Sequence, residues 1–182
     1  MITKKHLVIV GGGASAFAAL AYFSLRQESN PKIAKELRIS MLESSSKVGK
    51  SILVTGNGRC NFSNKNITPQ DYYNAEYAKK VFNVCEPETV HNFFKLIGLY
   101  SYEDEHGRMY PFTDKASTVL DVLRKMASKL KVNYMYNTKV QKIQPNRDDF
   151  TIFCQSNAIK SNSLKVSNLN AGFLDHTQSF AN

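Results

Sequence analysis

No pair of cysteines in this chain is spaced to hold a metal. The three present, Cys60, Cys85 and Cys154, are far apart and odd in number, and none stands in a CxxC or Cys/His arrangement. That leaves no zinc site and no disulfide framework, and the expected compartment is a reducing cytoplasm. Nor does any run of lysine or arginine exceed two, although the formal net charge is +9. The basic residues interleave with acids, so a generally basic surface that attracts phosphate-bearing small molecules accounts for the charge. No nucleic-acid partner is expected. Repeats and low-complexity tracts are missing too. An uninterrupted hydrophobic helix is also lacking: nineteen uncharged residues run from Leu7 to Leu25, but Gly11, Gly12 and Gly13 break them. Each glycine in a helix costs about 1 kcal/mol relative to alanine. Ala14-Ser15-Ala16 resembles a signal-peptidase site but comes too early, with apolar sequence continuing beyond it. Neither a leader nor a membrane span is expected.

What the chain does contain is a soluble composition, 42% hydrophobic and 21% charged over 182 residues, enough for one substantial core. Its most informative stretch is Leu7 to Ala16, an apolar β-branched strand running into glycines and then a helix former. Gly11-x-Gly13-x-x-Ala16 fits a dinucleotide-binding turn. Gly11 lets the chain turn off the strand, Gly13 lets backbone approach a pyrophosphate, and Ala16 keeps the helix close to the strand. The N–H groups and dipole of that helix then face the phosphates. A second strand, Leu37 to Leu42, ends at Glu43, whose carboxylate is placed to accept hydrogen bonds from ribose hydroxyls. It lies 30 residues after Gly13, late by the length of an excursion around Asn30-Pro31. An ordinary exposed loop acid is the alternative.

Beyond Lys47-Val-Gly-Lys50 comes Thr55-Gly56-Asn57-Gly58-Arg59-Cys60-Asn61, a flexible backbone rich in donors and suited to wrapping a polar ligand. The alternative is a plain Asn-Gly turn, but Phe62 to Asn66 does not read as a return strand. Cys60 has no neighbouring base to make it a nucleophile. Helices are expected near Glu76 to Val84 and from Pro87 to before Gly98, then a hairpin around His106-Gly107. An amphipathic helix follows over Asp114 to Leu130, then a third parallel strand over Val132 to Tyr136. Lys139 to Ile143, Asp149 to Gln155 and Leu164 to Leu169 read as short strands.

These blocks resemble a family of bacterial flavoproteins, the BaiN-like or aminoacetone-oxidase-like NAD(P)/FAD-dependent oxidoreductases. The resemblance rests on Ile9 to Ser15, Glu43, Lys47 to Lys50, Thr55 to Asn61, and Gly107-Arg108-Met109-Tyr110-Pro111 with Lys115-Ala116. It runs from about Leu7 to about Gly172, and the heptapeptide is its most specific part. It implies an α/β fold: an FAD-binding Rossmann-like parallel sheet, a helical and loop insertion after strand 2 at about 44–112, and a small antiparallel β-meander. Residues 1–182 would form a single domain. The implied cofactor is FAD, with NAD(P)H as an electron donor open to such an enzyme. Gly11, Gly13, Ala14 and Ser15 would hold the pyrophosphate and Glu43 the ribose. Lys50 and the loop Thr55, Gly56, Asn57, Gly58, Arg59, Cys60 and Asn61 would lie along the cofactor, and Val140 would meet adenine through its backbone. Ala171 and Gly172 stand where family members have a two-glycine turn, with one glycine retained. Family members also continue into a substrate-side domain and a segment that returns to the flavin, so the chain resembles an amino-terminal part.

The expected function is FAD-dependent oxidoreduction of a small-molecule substrate, with the flavin carrying the hydride chemistry. No residue is identified as a general acid or base, and whether the chain itself turns over is left open. A non-catalytic nucleotide-binding remnant is one alternative. An NAD-only dehydrogenase domain is another, although it leaves Thr55 to Asn61 unexplained.

Overall fold

A computed structural model describes residues 5–32, 37–147, 149–156 and 159–167. In chain order the first elements are β1 (Lys5–Val10), α1 (Ala14–Ser29), β2 (Leu37–Leu42), α2 (Lys50–Leu53), β3 (Ser63–Asn64), α3 (Ala75–Phe82) and α4 (Pro87–Leu96). There follow β4 (Ser101–Glu103), β5 (Arg108–Pro111), α5 (Ala116–Ser128), β6 (Val132–Met135), β7 (Thr138–Pro145), β8 (Asp149–Ser156) and β9 (Ile159–Ser167). The described residues divide into two compact units, one comprising those up to Lys50 with those from Leu123 to Ser167, the other running from Ser51 to Val122. Among the described residues, no helix is long and apolar enough to cross a membrane.

The first unit is a parallel sheet in the order β1-β2-β6 and an antiparallel meander in the order β7-β8-β9. β1 and β2 pair from Lys5↔Leu37 to Val10↔Leu42, and β2 and β6 from Ile39↔Val132 to Leu42↔Met135. Parallel strands need a long crossover, which α1 supplies between β1 and β2. Phe17, Leu20 and Ala21 of α1 are almost wholly buried, as are Leu123 and Ala127 of α5. The meander contributes Ile152 and Cys154 to a second cluster with Leu42, against which Val8, Met135 and Val140 pack. Each strand of the meander is longer than its sequence suggests. β7 carries few apolar residues, and a bulge between Val140 and Lys142 breaks its alternation.

One polar pair sits inside this unit. His6 Nε2 lies 2.9 Å from Ser40 Oγ, and both side chains are buried. Burial, with a smaller contribution from the Arg38 charge, pushes the imidazole below its ordinary pKa. The unfolded chain therefore takes up a proton more readily than the folded one. His6 contributes its full stability above about pH 6.5, and that contribution is lost as the pH falls towards the folded value. The melting temperature should fall between about pH 7.5 and 5.5, and His6→Gln should flatten that part of the profile. Thermal melts across the range check this; an unchanged slope in the variant assigns the dependence elsewhere.

The second unit is built on a small antiparallel sheet in the order β3-β5-β4. β4 and β5 form the expected hairpin, with Gly107 at φ +77° in its turn and Asp104 accepting from the N–H groups of His106 and Arg108. His106 is an exposed turn residue. As expected, no strand returns from the Asn-Gly turn: the segment before it is the helix α2, and Ser63 and Asn64 pair instead with Met109 and Arg108 of β5. Two polar residues carry no alternation, so the sequence gives no strand signal there.

Candidate functional site

In the first unit the site grows from the end of β1. Gly11 takes φ +88°, which a side chain would strain, and its N–H donates to Leu42 O at 2.8 Å. Gly13 is the N-cap of α1 in an extended conformation, with no side-chain cap and no acid in the first turn. Ala14 and Ser15 are exposed there, while Ala16 is buried. The positive end of α1 is thus left open, as an anion site requires.

Glu43 stands beside this turn. Its N–H donates to Met135 O at 2.9 Å and its carbonyl accepts from Thr138 N–H at 2.8 Å, which ties the tip of β2 to the end of β6. The carboxylate accepts from Gly12 N–H at 2.8 Å, Ser45 N–H at 2.6 Å and Ser44 Oγ at 3.2 Å. Burial alone would raise its pKa, but the hydrogen bonds from Ser45, Gly12 and Ser44 together hold it below the usual range. A carboxylate has about four acceptor positions, and the serine hydroxyls among its donors can rotate away to admit a further one.

The stretch after Glu43 works as a clasp. Val48 is buried, Gly49 N–H donates to Gly12 O at 2.7 Å, and Arg124 Nη2 donates to Val48 O at 3.2 Å. A Cβ on Gly12 would stand only 2.8 Å from Val48 Cβ and 3.2 Å from Glu43 Oε2. Gly12 is therefore crowded where Gly11 is open, a fact invisible in the fingerprint because Val48 lies far along the chain. Lys50 opens α2 and is exposed, and Val140 lies beside the β7 bulge, packed against the Leu42 cluster. Gly11, Gly13, Ala14, Ser15 and Glu43 come together around the start of α1. Ala171 and Gly172 lie outside the described residues.

In the second unit, Thr55 to Asn61 is one tight, internally bonded turn. Gly56, Asn57, Gly58 and Cys60 all take positive φ. Thr55 Oγ1 donates to Ile52 O at 2.7 Å, Arg59 N–H to Gly56 O at 3.1 Å, and Cys60 N–H to Thr55 O at 3.0 Å. A Cβ on Gly56 would meet Asn61 N at 2.8 Å. With its nitrogen turned towards β5, the Asn61 amide donates to Met109 O and Ser63 O. Cys60 is buried, in keeping with a structural role. The Arg59 guanidinium sits 4.2 Å above the Tyr110 ring and 3.9 Å from Asp114 Oδ1. Tyr102 OH donates to the same Asp114 oxygen at 2.6 Å, and that bond is the main reason its hydroxyl pKa is raised. Sequence reasoning missed this support, because Tyr102 and Asp114 belong to no recognisable motif.

A family model described as the HI0933-like protein Rossmann domain matches residues 5–170. A 3-dehydro-bile acid delta(4,6)-reductase of Clostridium scindens is 30% identical over 150 residues, covering 81% of this chain and 35% of the relative. A ribosomal RNA dihydrouridine synthase of Escherichia coli is 26% identical over 152 residues, covering 80% of this chain and 34% of the relative. The chain thus spans about a third of the length of these curated relatives. Among solved structures, a p-nitrophenol 4-monooxygenase of Pseudomonas putida overlaps 91% of this chain and 40% of its own, with 18% identity and a TM-score of 0.44.

Proposed function

Because the chain belongs to the HI0933-like Rossmann-domain family, we propose that it binds FAD through the turn at Gly11 to Ser15 and serves a flavin-dependent reductase. The observation that carries the reading is the uncapped start of α1 beside a carboxylate pinned at the tip of β2. Pyrophosphate oxygens would accept from the first N–H groups of α1, where the dipole favours negative charge. Glu43, held by Gly12, Ser44 and Ser45, would accept from a ribose hydroxyl as a serine hydroxyl rotates away. Its ionised state, secured by those donors, suits that acceptor role across the neutral range. The turn at Thr55 to Asn61, taken within the second unit by itself, is proposed as a preformed polar binding loop, with Arg59 steadied by Tyr110 and Asp114.

The bound flavin supplies hydride transfer, and NAD(P)H is the proposed donor. The names of the two relatives share a chemical theme. Reduction of a 3-oxo steroid at its delta(4,6) bonds and conversion of uridine to dihydrouridine both saturate a C=C conjugated with a carbonyl. A small carbonyl-conjugated alkene is therefore the proposed substrate class, and a cytoplasmic setting accords with three free cysteines.

The test is titration with FAD, followed by the visible absorption of bound flavin and by calorimetry. Glu43→Gln should weaken FAD or ADP binding by about 1–3 kcal/mol, the range for losing a hydrogen bond to a charged group. Far-UV circular dichroism controls for the Gly12 contact. Undiminished affinity would return Glu43 to an ordinary loop acid.

A further inference from the structure

The first unit has a second concave surface, on the face of β6 opposite the meander. Met135 packs against the Leu42 cluster on the meander side. Its neighbour Tyr134 lines a cavity of about 470 Å³ with Phe17, Lys47, Arg124, Leu130 and Tyr136. That volume falls in the range of small-molecule pockets. The floor is apolar, since Phe17 and Leu130 are buried. Lys47, Arg124, Ser46 and Ser128 at the mouth are exposed. Tyr134 and Tyr136 lie nearly parallel, 6° apart with centroids at 6.0 Å, and Tyr136 is 42% exposed. A flat aromatic wall beside two cations, with no acid among the described lining residues, selects a planar ring bearing a negative group.

The charge of the chain is also unevenly placed. Residues 124–165 carry nine lysines and arginines against two acids, whereas residues 51–122 carry seven against nine. Four of the nine, Arg124, Lys125, Lys129 and Lys131, come before β6 on the pocket side, and the other five belong to the meander. The two cations that line the pocket, Lys47 and Arg124, with no acid beside them, suit the doubly charged phosphate better than a single carboxylate.

We propose that the pocket between the loop at Ser46 to Val48, α5 and β6 binds a nucleoside monophosphate unit, its base against Tyr136 and its phosphate at Lys47 and Arg124. This goes beyond the flavin reading and needs no redox step. The same unit arrives either as a free nucleotide or as one residue of an RNA strand.

Uridine 5′-monophosphate is the probe, because a pyrimidine nucleotide is not a fragment of FAD. Its binding is measured by calorimetry on the full chain, once with saturating FAD and once without, so a chain that retains no flavin still tests the pocket. Binding is expected in both arms. Tyr136→Ala and Lys47→Glu, both at exposed positions, should each weaken it by about ten-fold while leaving FAD affinity unchanged. A decamer of uridylate then separates the sources. A gain over the monophosphate that fades with salt indicates RNA, and equal affinity per nucleotide indicates the free ligand. No binding, equal binding in both variants, or displacement by FAD overturns the proposal.

Discussion

Gly13→Val is expected to strip the protein of flavin without unfolding it. Gly13 has φ −89° and ψ −166°, extended backbone that valine adopts readily, so the substitution asks for no strained turn. What changes is the space in front of α1. The helix end has no side-chain cap, and its first N–H groups are the donors proposed for the pyrophosphate. An isopropyl group at the N-cap would stand where the phosphate must come closest, and a lengthened N–H···O distance removes most of that bond. We expect FAD affinity to fall by about a hundred-fold or more, roughly 2.7 kcal/mol, with far-UV circular dichroism and melting temperature near those of the parent. Flavin retained through gel filtration, backed by titration, reads the effect. Unchanged affinity would remove the phosphate role from this turn.

Gly12→Ala should act in the opposite sense, on the fold first. The new Cβ would press on Val48, which is buried and β-branched, leaving one preferred rotamer and little room to yield. Overpacking of this kind typically costs about 1–3 kcal/mol. The same shift would loosen the Gly12 N–H bond to Glu43 and the Gly49 bond to Gly12, so cofactor affinity should fall with stability. Adding Val48→Ala removes both Val48 methyl groups and leaves only its Cβ to give way to the new one. The double variant should recover most of the stability lost by Gly12→Ala, a positive coupling that denaturant melts of the four proteins measure. Additive losses would place the damage elsewhere.

That pair of residues marks where the sequence could be read and where it could not. The strand over Leu7 to Val10, the glycine turn and the helix over Ala14 to Gln27 were legible because glycines and apolar periodicity are local signals, and the structure extends each element by two residues. Glu43 was legible by its position at a strand end, and the hairpin by its Gly107 turn. The crowding at Gly12 was not, since it depends on Val48, which local pattern does not connect to it. His6 and Ser40 read as ordinary alternating polar positions, yet they meet inside the sheet. The Asp114 carboxylate that receives Tyr102 and faces Arg59 joins three separate segments, none of which carries a recognisable motif. Each miss is a side-chain contact between residues distant along the chain. Each success is a property of a short window.

The register of the parallel sheet also sets an order in time. β7, β8 and β9 are successive neighbours, and β4 meets β5 across a four-residue turn, so these pairings close short loops and form early. β2 has to wait: Ile39 pairs with Val132, about ninety residues later, and the whole of Ser51 to Val122 lies between them. Closure entropy grows only logarithmically with that length, but no contact rewards it until the strands meet. On a ribosome adding about 5–20 residues per second, β2 would remain unmatched on that side for several seconds. Glu43 is fixed through Met135 and Thr138, at the far end of the same pairing. The backbone that carries the carboxylate proposed to receive the ribose would thus be locked in place by the slowest contact of the fold. In pulse-labelled hydrogen exchange, the amides of Glu43 and Thr138 should be among the last to gain protection.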